Sequence, residues 1–134
     1  MAYWMLVEDE MHMYEMLIAL TETLGYSGLA FPTREEAVAW IDDFDAERIR
    51  ETPPLLALID VRLGDERGED VAQRLRGSPR LGHIPIIMIS AYTPQLAAQQ
   101  DVLQRAGADL FLSKPLPNLG EFRRIIDDLL GAHR

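Results

Sequence analysis

The chain has 134 residues, 48% of them apolar and 26% charged, which is ordinary globular composition and enough for one domain with a real core. It has no cysteine, so disulfides and thiolate metal sites are excluded. Its formal net charge of −9 disfavours binding to nucleic acid, which wants a basic patch, but suits a divalent cation wherever the acids converge.

The N-terminus, MAYWMLVEDE, lacks the basic start of a signal peptide, and no apolar run reaches the ~18 residues of a membrane span, so a cytoplasmic chain that avoids the membrane is expected. Tyr3–Val7 is a short apolar run that stops at Glu8. Met13, Met16, Leu17, Leu20 and Leu24 then recur every three or four residues, which predicts a buried helical face ending at Gly25. Ser27–Phe31 reads as a weak second strand. Thr33, with Glu36 three residues on, predicts the capped start of a helix whose buried face is Ala37, Trp40, Ile41 and Phe44. Asp42–Pro54 reads either as an extension of that helix or as a surface loop.

Leu55–Ile59 is a fully apolar strand leading into Asp60, and Val71, Ala72 and Leu75 carry a third helix. Ile84–Ile89 is a fourth strand, with Pro85 at its start, where a missing N–H is tolerated. Leu96, Val102, Leu103 and Ala106 suit a fourth helix closed by Gly107. Leu110–Leu112 is a fifth strand, and Leu119, Phe122, Ile125, Ile126, Leu129 and Leu130 make an amphipathic last helix. Strands alternate with helices throughout, and three strands are apolar on both faces. This predicts an α/β fold, a doubly wound five-stranded parallel sheet covered by five helices, occupying 1–134 as a single domain.

In such sheets ligands bind beyond the carboxyl ends of the strands. Glu8, Asp9 and Glu10 follow the first strand, Asp60 the third, Ser90 the fourth and Lys114 the fifth. Crowded carboxylates need a cation, and Mg²⁺ prefers hard oxygen ligands. Asp60 beside such an ion suits a nucleophile toward phosphorus, giving an aspartyl phosphate. The Lys114 ammonium and the Ser90 hydroxyl suit the phosphoryl oxygens. Glu10 reads as a helix N-terminal acid rather than a ligand. His12, His83 and His133 lie at no mutual ligand spacing and read as surface residues.

The runs MLVEDE, LIDVRLGDERGED, PIIMISA and GADLFLSKP resemble, in order and over essentially the full length, the response-regulator receiver family of two-component signalling. Gly68, eight residues beyond Asp60, and the pairs Ser90-Ala91 and Lys114-Pro115 belong to the same pattern. The resemblance implies a flavodoxin-like strand order of 2-1-3-4-5, a phosphoacceptor at Asp60 and a phosphoryl donor that is a sensor histidine kinase or a phosphotransfer protein. It implies Mg²⁺ held directly by Asp9, Asp60 and the backbone carbonyl of Arg62, with Glu8 acting through a metal-bound water. Ser90 and Lys114 would hold the phosphoryl oxygens. Phe111 would be the switch aromatic that turns inward when Ser90 moves, and the Lys114–Pro115 bond would be cis. A protein target, or a second copy on phosphorylation, would use the face made by the fourth helix, fifth strand and fifth helix. No output domain is visible, so direct DNA binding is not expected.

The pattern also has departures. Gly64 stands where the family often has proline, which predicts a looser loop, and Arg67 precedes Gly68 where acidic or small residues are usual. Glu8 and Phe111 replace the commoner aspartate and tyrosine. Bulky Arg62 and Tyr92 predict slow hydrolysis of the acyl phosphate. The alternative reading is a receiver domain that is part of a larger multidomain regulator or hybrid kinase, and two further rivals fit less well. A haloacid-dehalogenase-type phosphatase wants a second acid two residues after its nucleophile, where this chain has Arg62. A flavodoxin-like flavin binder wants a phosphate loop after the first strand, where Glu8, Asp9 and Glu10 would repel the phosphate.

Overall fold

The computed structural model describes residues 2–92 and 94–132, so His133 lies outside the described residues. In chain order the elements are β1 (Tyr3–Val7), α1 (Met11–Thr23), β2 (Ser27–Phe31), α2 (Arg34–Asp45), β3 (Ala57–Asp60), β4 (Arg62–Leu63), β5 (Glu66–Arg67), α3 (Gly68–Arg76), β6 (Ile86–Ser90), α4 (Leu96–Ala106), β7 (Leu110–Ser113) and α5 (Leu119–Ala132). Five parallel strands make one sheet in the order β2-β1-β3-β6-β7, which is the expected 2-1-3-4-5 order of the sheet strands. β4 and β5 form a separate two-stranded antiparallel hairpin that the sequence reading did not foresee.

The three apolar runs became the sheet's interior because both of their faces are covered. Met5 and Val7, Ala57 and Ile59, and Ile86 and Met88 pack with residues of α2, α3 and α4. Their neighbours Trp4 and Leu6, Leu58, and Ile87 and Ile89 pack with α1 and α5. This alternation is the period-two geometry of strands. β2, the outer neighbour of β1, is only half-buried along its length.

Local chemistry sets the helix ends. The Glu10 carboxylate accepts from the His12 and Met13 amides at 3.1 and 2.9 Å, so it caps α1 as a helix N-terminal acid. Thr33 Oγ1 accepts from the Glu36 amide at 3.1 Å and starts α2. Gly107, at φ 69, closes α4 in the left-handed conformation. Asp42–Asp45 does extend α2. Arg74 of α3 bonds both Asp42 and Asp45, and Ser78 donates to Asp45 at 2.6 Å, so the polar start of this segment ties α2 to α3.

Three expected core positions face outward. Met16 is 46% exposed because the buried stripe of α1 runs through Met13, Leu17, Thr21 and Leu24, and Met16 lies off it. Thr21 can hold a core position because its hydroxyl donates to the Leu17 carbonyl at 2.7 Å. Leu96 and Leu119, the first residues of α4 and α5, are 74% and 42% exposed. Trp40 is half-buried, its ring 5.2 Å from Phe44 and 6.0 Å from Phe31.

Candidate functional site

β1 pairs with β2 on one side and β3 on the other, so the chain switches direction across the sheet between β1 and β3. The register places Val7 opposite Ile59, Asp60 opposite Ile89 and Ser90 opposite Ser113. The strand ends therefore lie side by side, and their next residues meet. Hydrogen bonds beyond the strands keep them in line: the Val61 amide donates to Ile89 O at 2.8 Å and the Lys114 amide to Ser90 O at 2.7 Å.

The structure brings Glu8, Asp9, Asp60 and Lys114 together. One carboxylate oxygen from each of Glu8, Asp9 and Asp60 lies within 4.8 Å of the others. Lys114 Nζ donates to Asp60 Oδ2 at 2.6 Å and to Glu8 Oε1 at 2.8 Å. The Arg62 amide donates to Asp60 Oδ1 at 2.8 Å, so both Asp60 oxygens are engaged. The second Asp9 oxygen, Oδ2, accepts from the Gly64 amide at 2.7 Å. Glu8 and Asp60 are buried and Asp9 is exposed.

These groups differ in what they cost to charge. Burial pushes the Glu8 carboxyl from 4.5 up to about 7, reinforced by Asp60 and opposed by the Lys114 hydrogen bond. Burial works against the Lys114 charge, but its two carboxylates outweigh that and hold its pKa above the ordinary lysine value. With Glu8 ionised, the three carboxylates and one ammonium leave two negative charges uncompensated, which matches one divalent cation. An all-oxygen donor set with this charge fits Mg²⁺.

Ser90 is buried at the end of β6, and its Oγ accepts from the Tyr92 amide at 3.1 Å, which leaves its own proton to donate. Arg62 sits in the β4–β5 hairpin. The Gly68 amide donates to Val61 O at 2.9 Å, which marks Val61 and Gly68 as a bonded pair across it. Antiparallel pairs alternate, so Arg62, opposite Arg67, belongs to a non-bonded pair and its carbonyl is left free of the hairpin ladder. The Lys114–Pro115 bond is cis, as the resemblance implied. Phe111 is half-buried and packs against the core under α2, α3 and α4. Arg62 and Tyr92 are both exposed. His12 and His83 are exposed.

Gly64 sits at φ 63 in the turn of a hairpin whose Leu63 is buried in the core. Arg67, the other departure, pairs with Glu69, a buried acid that Arg105 of α4 also holds at 3.1 Å. The sequence reading missed this Glu69 cluster and the Gly64–Asp9 bond. The only sequence signal for either was a glycine and an arginine where the family pattern has other residues.

The raised Glu8 value gives a pH prediction. A folded-state value above the ordinary one means that the metal-free fold loses stability as pH rises from 4.5 through about 7. A divalent cation bound here would need the ionised form, so Mg²⁺ affinity is expected to rise about tenfold between about pH 6 and about pH 8. Calorimetric Mg²⁺ titrations at the two pH values measure this, and Glu8→Gln should flatten the dependence.

Comparison with known proteins accords with this geometry. The family model of the response regulator receiver domain matches residues 5–127. The polar-differentiation response regulator DivK of Brucella abortus is 27% identical over 127 residues, covering 95% of this chain and 94% of that protein. A solved receiver domain of the sensor histidine kinase PA1611 from Pseudomonas aeruginosa PAO1, with a magnesium ion coordinated in its active site cleft, is 27% identical. It superposes with a TM-score of 0.76 over 97% of this chain and 98% of that one. A CheY-like receiver domain from Methanospirillum hungatei JF-1 shares the fold at 22% identity, with a TM-score of 0.79 over 99% of this chain and 96% of that one.

Proposed function

Because the chain belongs to the response regulator receiver domain family of two-component signalling, we propose that Asp60 is its phosphoacceptor and that Mg²⁺ is its cofactor. The observation that carries this reading is the Lys114 ammonium set between Glu8 and Asp60, beside Asp9, at the ends of β1, β3 and β7. Asp9, Asp60 and the Arg62 carbonyl would hold the ion directly, and Glu8 would hold it through a water. A bound Mg²⁺ would offset charge on the phosphoryl oxygens and help align the attack.

The chain's own residues do the rest. An Asp60 carboxylate oxygen attacks the phosphorus of a phosphohistidine. The new P–O bond forms as the P–N bond breaks, and the imidazole nitrogen keeps the electron pair. The attacking oxygen must first be released, and Lys114 on Oδ2 is the group that can follow charge onto the incoming phosphoryl oxygens. The Arg62 amide stays on Oδ1 and fixes the carboxylate plane. The Ser90 hydroxyl donates to a phosphoryl oxygen, and its movement is the signal that turns Phe111 inward. Phosphorylation then biases a two-state equilibrium. The donor is a sensor histidine kinase or phosphotransfer protein. The output is a partner, or a second copy, bound at the face of α4, β7 and α5.

We read the chain as a phosphoacceptor signalling domain whose chemistry is its own phosphorylation and dephosphorylation. Incubation with acetyl phosphate is expected to label the chain when Mg²⁺ is present, and a chelator is expected to stop it. Equal labelling in both conditions would refute the cation's part.

A further inference from the structure

β4 and the turn after it direct two amides to the site: that of Arg62, bonded to Asp60 Oδ1 at 2.8 Å, and that of Gly64, bonded to Asp9 Oδ2 at 2.7 Å. Two amides two residues apart, one in β4 and one in the turn that follows it, thus serve two different carboxylates of the site. The hairpin is held in place from inside by Leu63, which is 4% exposed. Asp9 is the exposed carboxylate of the three, and Lys114 bonds the other two. Its orientation is therefore not set by the lysine.

We propose that the Gly64 amide is a positioning group for the cation site, holding the Asp9 carboxylate in its ligating orientation through the 2.7 Å bond to Oδ2. This rests on the proposed Mg²⁺ site. A carboxylate on an exposed side chain can rotate, and each orientation lost on binding weakens the ion. A charge-assisted bond to a backbone amide removes that freedom beforehand and leaves the second oxygen for the ion. Gly64 supplies the bond because of its conformation as well as its N–H. At φ 63 the turn presents the amide to Asp9, and an added Cβ would come no nearer to Asp9 Oδ2 than 3.8 Å. Glycine and asparagine tolerate that φ, whereas proline is fixed near −65° and has no N–H.

The test is a Mg²⁺ titration of the full chain, followed by backbone amide shifts, for wild type, Gly64→Pro and Gly64→Asn. Gly64→Pro is expected to bind Mg²⁺ about tenfold more weakly, while Gly64→Asn stays within about twofold of wild type. In an otherwise unaltered chain without Mg²⁺, Asp9→Asn is expected to move the Gly64 amide proton upfield, because its acceptor loses charge. That second readout holds even where the proline variant does not fold. Equal affinity for Gly64→Pro and wild type, equal weakening by both Gly64 variants, or an unmoved Gly64 proton in Asp9→Asn would overturn the proposal and leave the cation site standing. Failure of wild type itself to bind Mg²⁺ would overturn both.

Discussion

Replacing Gly68 with alanine is expected to destabilise the fold by at least about 3 kcal/mol, lowering the thermal midpoint by roughly 10 °C. Gly68 opens α3 where the helix backbone lies against the end of β3. A Cβ there would sit 1.7 Å from the Asp60 carbonyl oxygen and 2.8 Å from its carbon. Both are backbone atoms, so no side-chain rotation relieves the overlap, and either α3 or the end of β3 must move. The Gly68 amide also bonds Val61 O at 2.9 Å, so a shift of α3 pulls on the residue after Asp60. Asp60 should lose its alignment with Lys114, and the variant should be phosphorylated poorly even where it folds. Thermal denaturation followed by far-UV circular dichroism measures the first effect. A midpoint within a couple of degrees of wild type would mean that this contact is not as close in solution.

Lys114→Met is expected to have two effects of opposite sign. It removes the cation bonded to two buried carboxylates, whose side chains are 1% and 8% exposed. Breaking one side of a buried ion pair typically costs about 3–5 kcal/mol, less here to the extent that Glu8 takes up a proton. The metal-free protein should therefore melt earlier. Mg²⁺ should then raise its midpoint by more than it raises that of wild type, because the lysine no longer competes for the same carboxylates. Phosphorylation should still slow by about 100-fold if, as proposed, the Lys114 ammonium follows charge onto the phosphoryl group. A variant with lower stability, stronger Mg²⁺ stabilisation and slow labelling would separate the lysine's structural part from its chemical one. A labelling rate near wild type would remove Lys114 from the chemistry.

Much of this architecture was legible in the sequence, for reasons visible in particular residues. The runs that became β1, β3 and β6 are apolar on both faces because helices cover both, and that pattern needs no tertiary knowledge to read. The site residues were legible because parallel strands end together, so polar residues after separate strands had to converge. Position alone placed Glu8, Asp9, Asp60 and Lys114 within reach of one another. Helix faces were read less well where apolar residues outnumber core positions. In α1, spacing from Met13 admits Met16, but the buried stripe passes through Thr21 instead, because the Thr21 hydroxyl satisfies itself on the Leu17 carbonyl.

The β4–β5 hairpin was illegible. Arg62, Asp65, Glu66 and Arg67 carry no strand signal. The hairpin is held by a left-handed glycine, a buried leucine and an amide bond to Asp9, which lies 55 residues away in sequence. The departure from the family pattern at Gly64 was visible, but its bond to Asp9 was not. Likewise, Arg67 gained its meaning only when Glu69 and Arg105 were seen to meet it.

The central claim is that Asp60 receives the phosphoryl group. It is tested most directly by intact-mass measurement of wild type and Asp60→Asn after incubation with acetyl phosphate and Mg²⁺. The Asn side chain keeps the volume and loses only the nucleophilic charge. Wild type should gain the mass of one phosphoryl group and the variant none. Equal gain in both proteins would contradict the account.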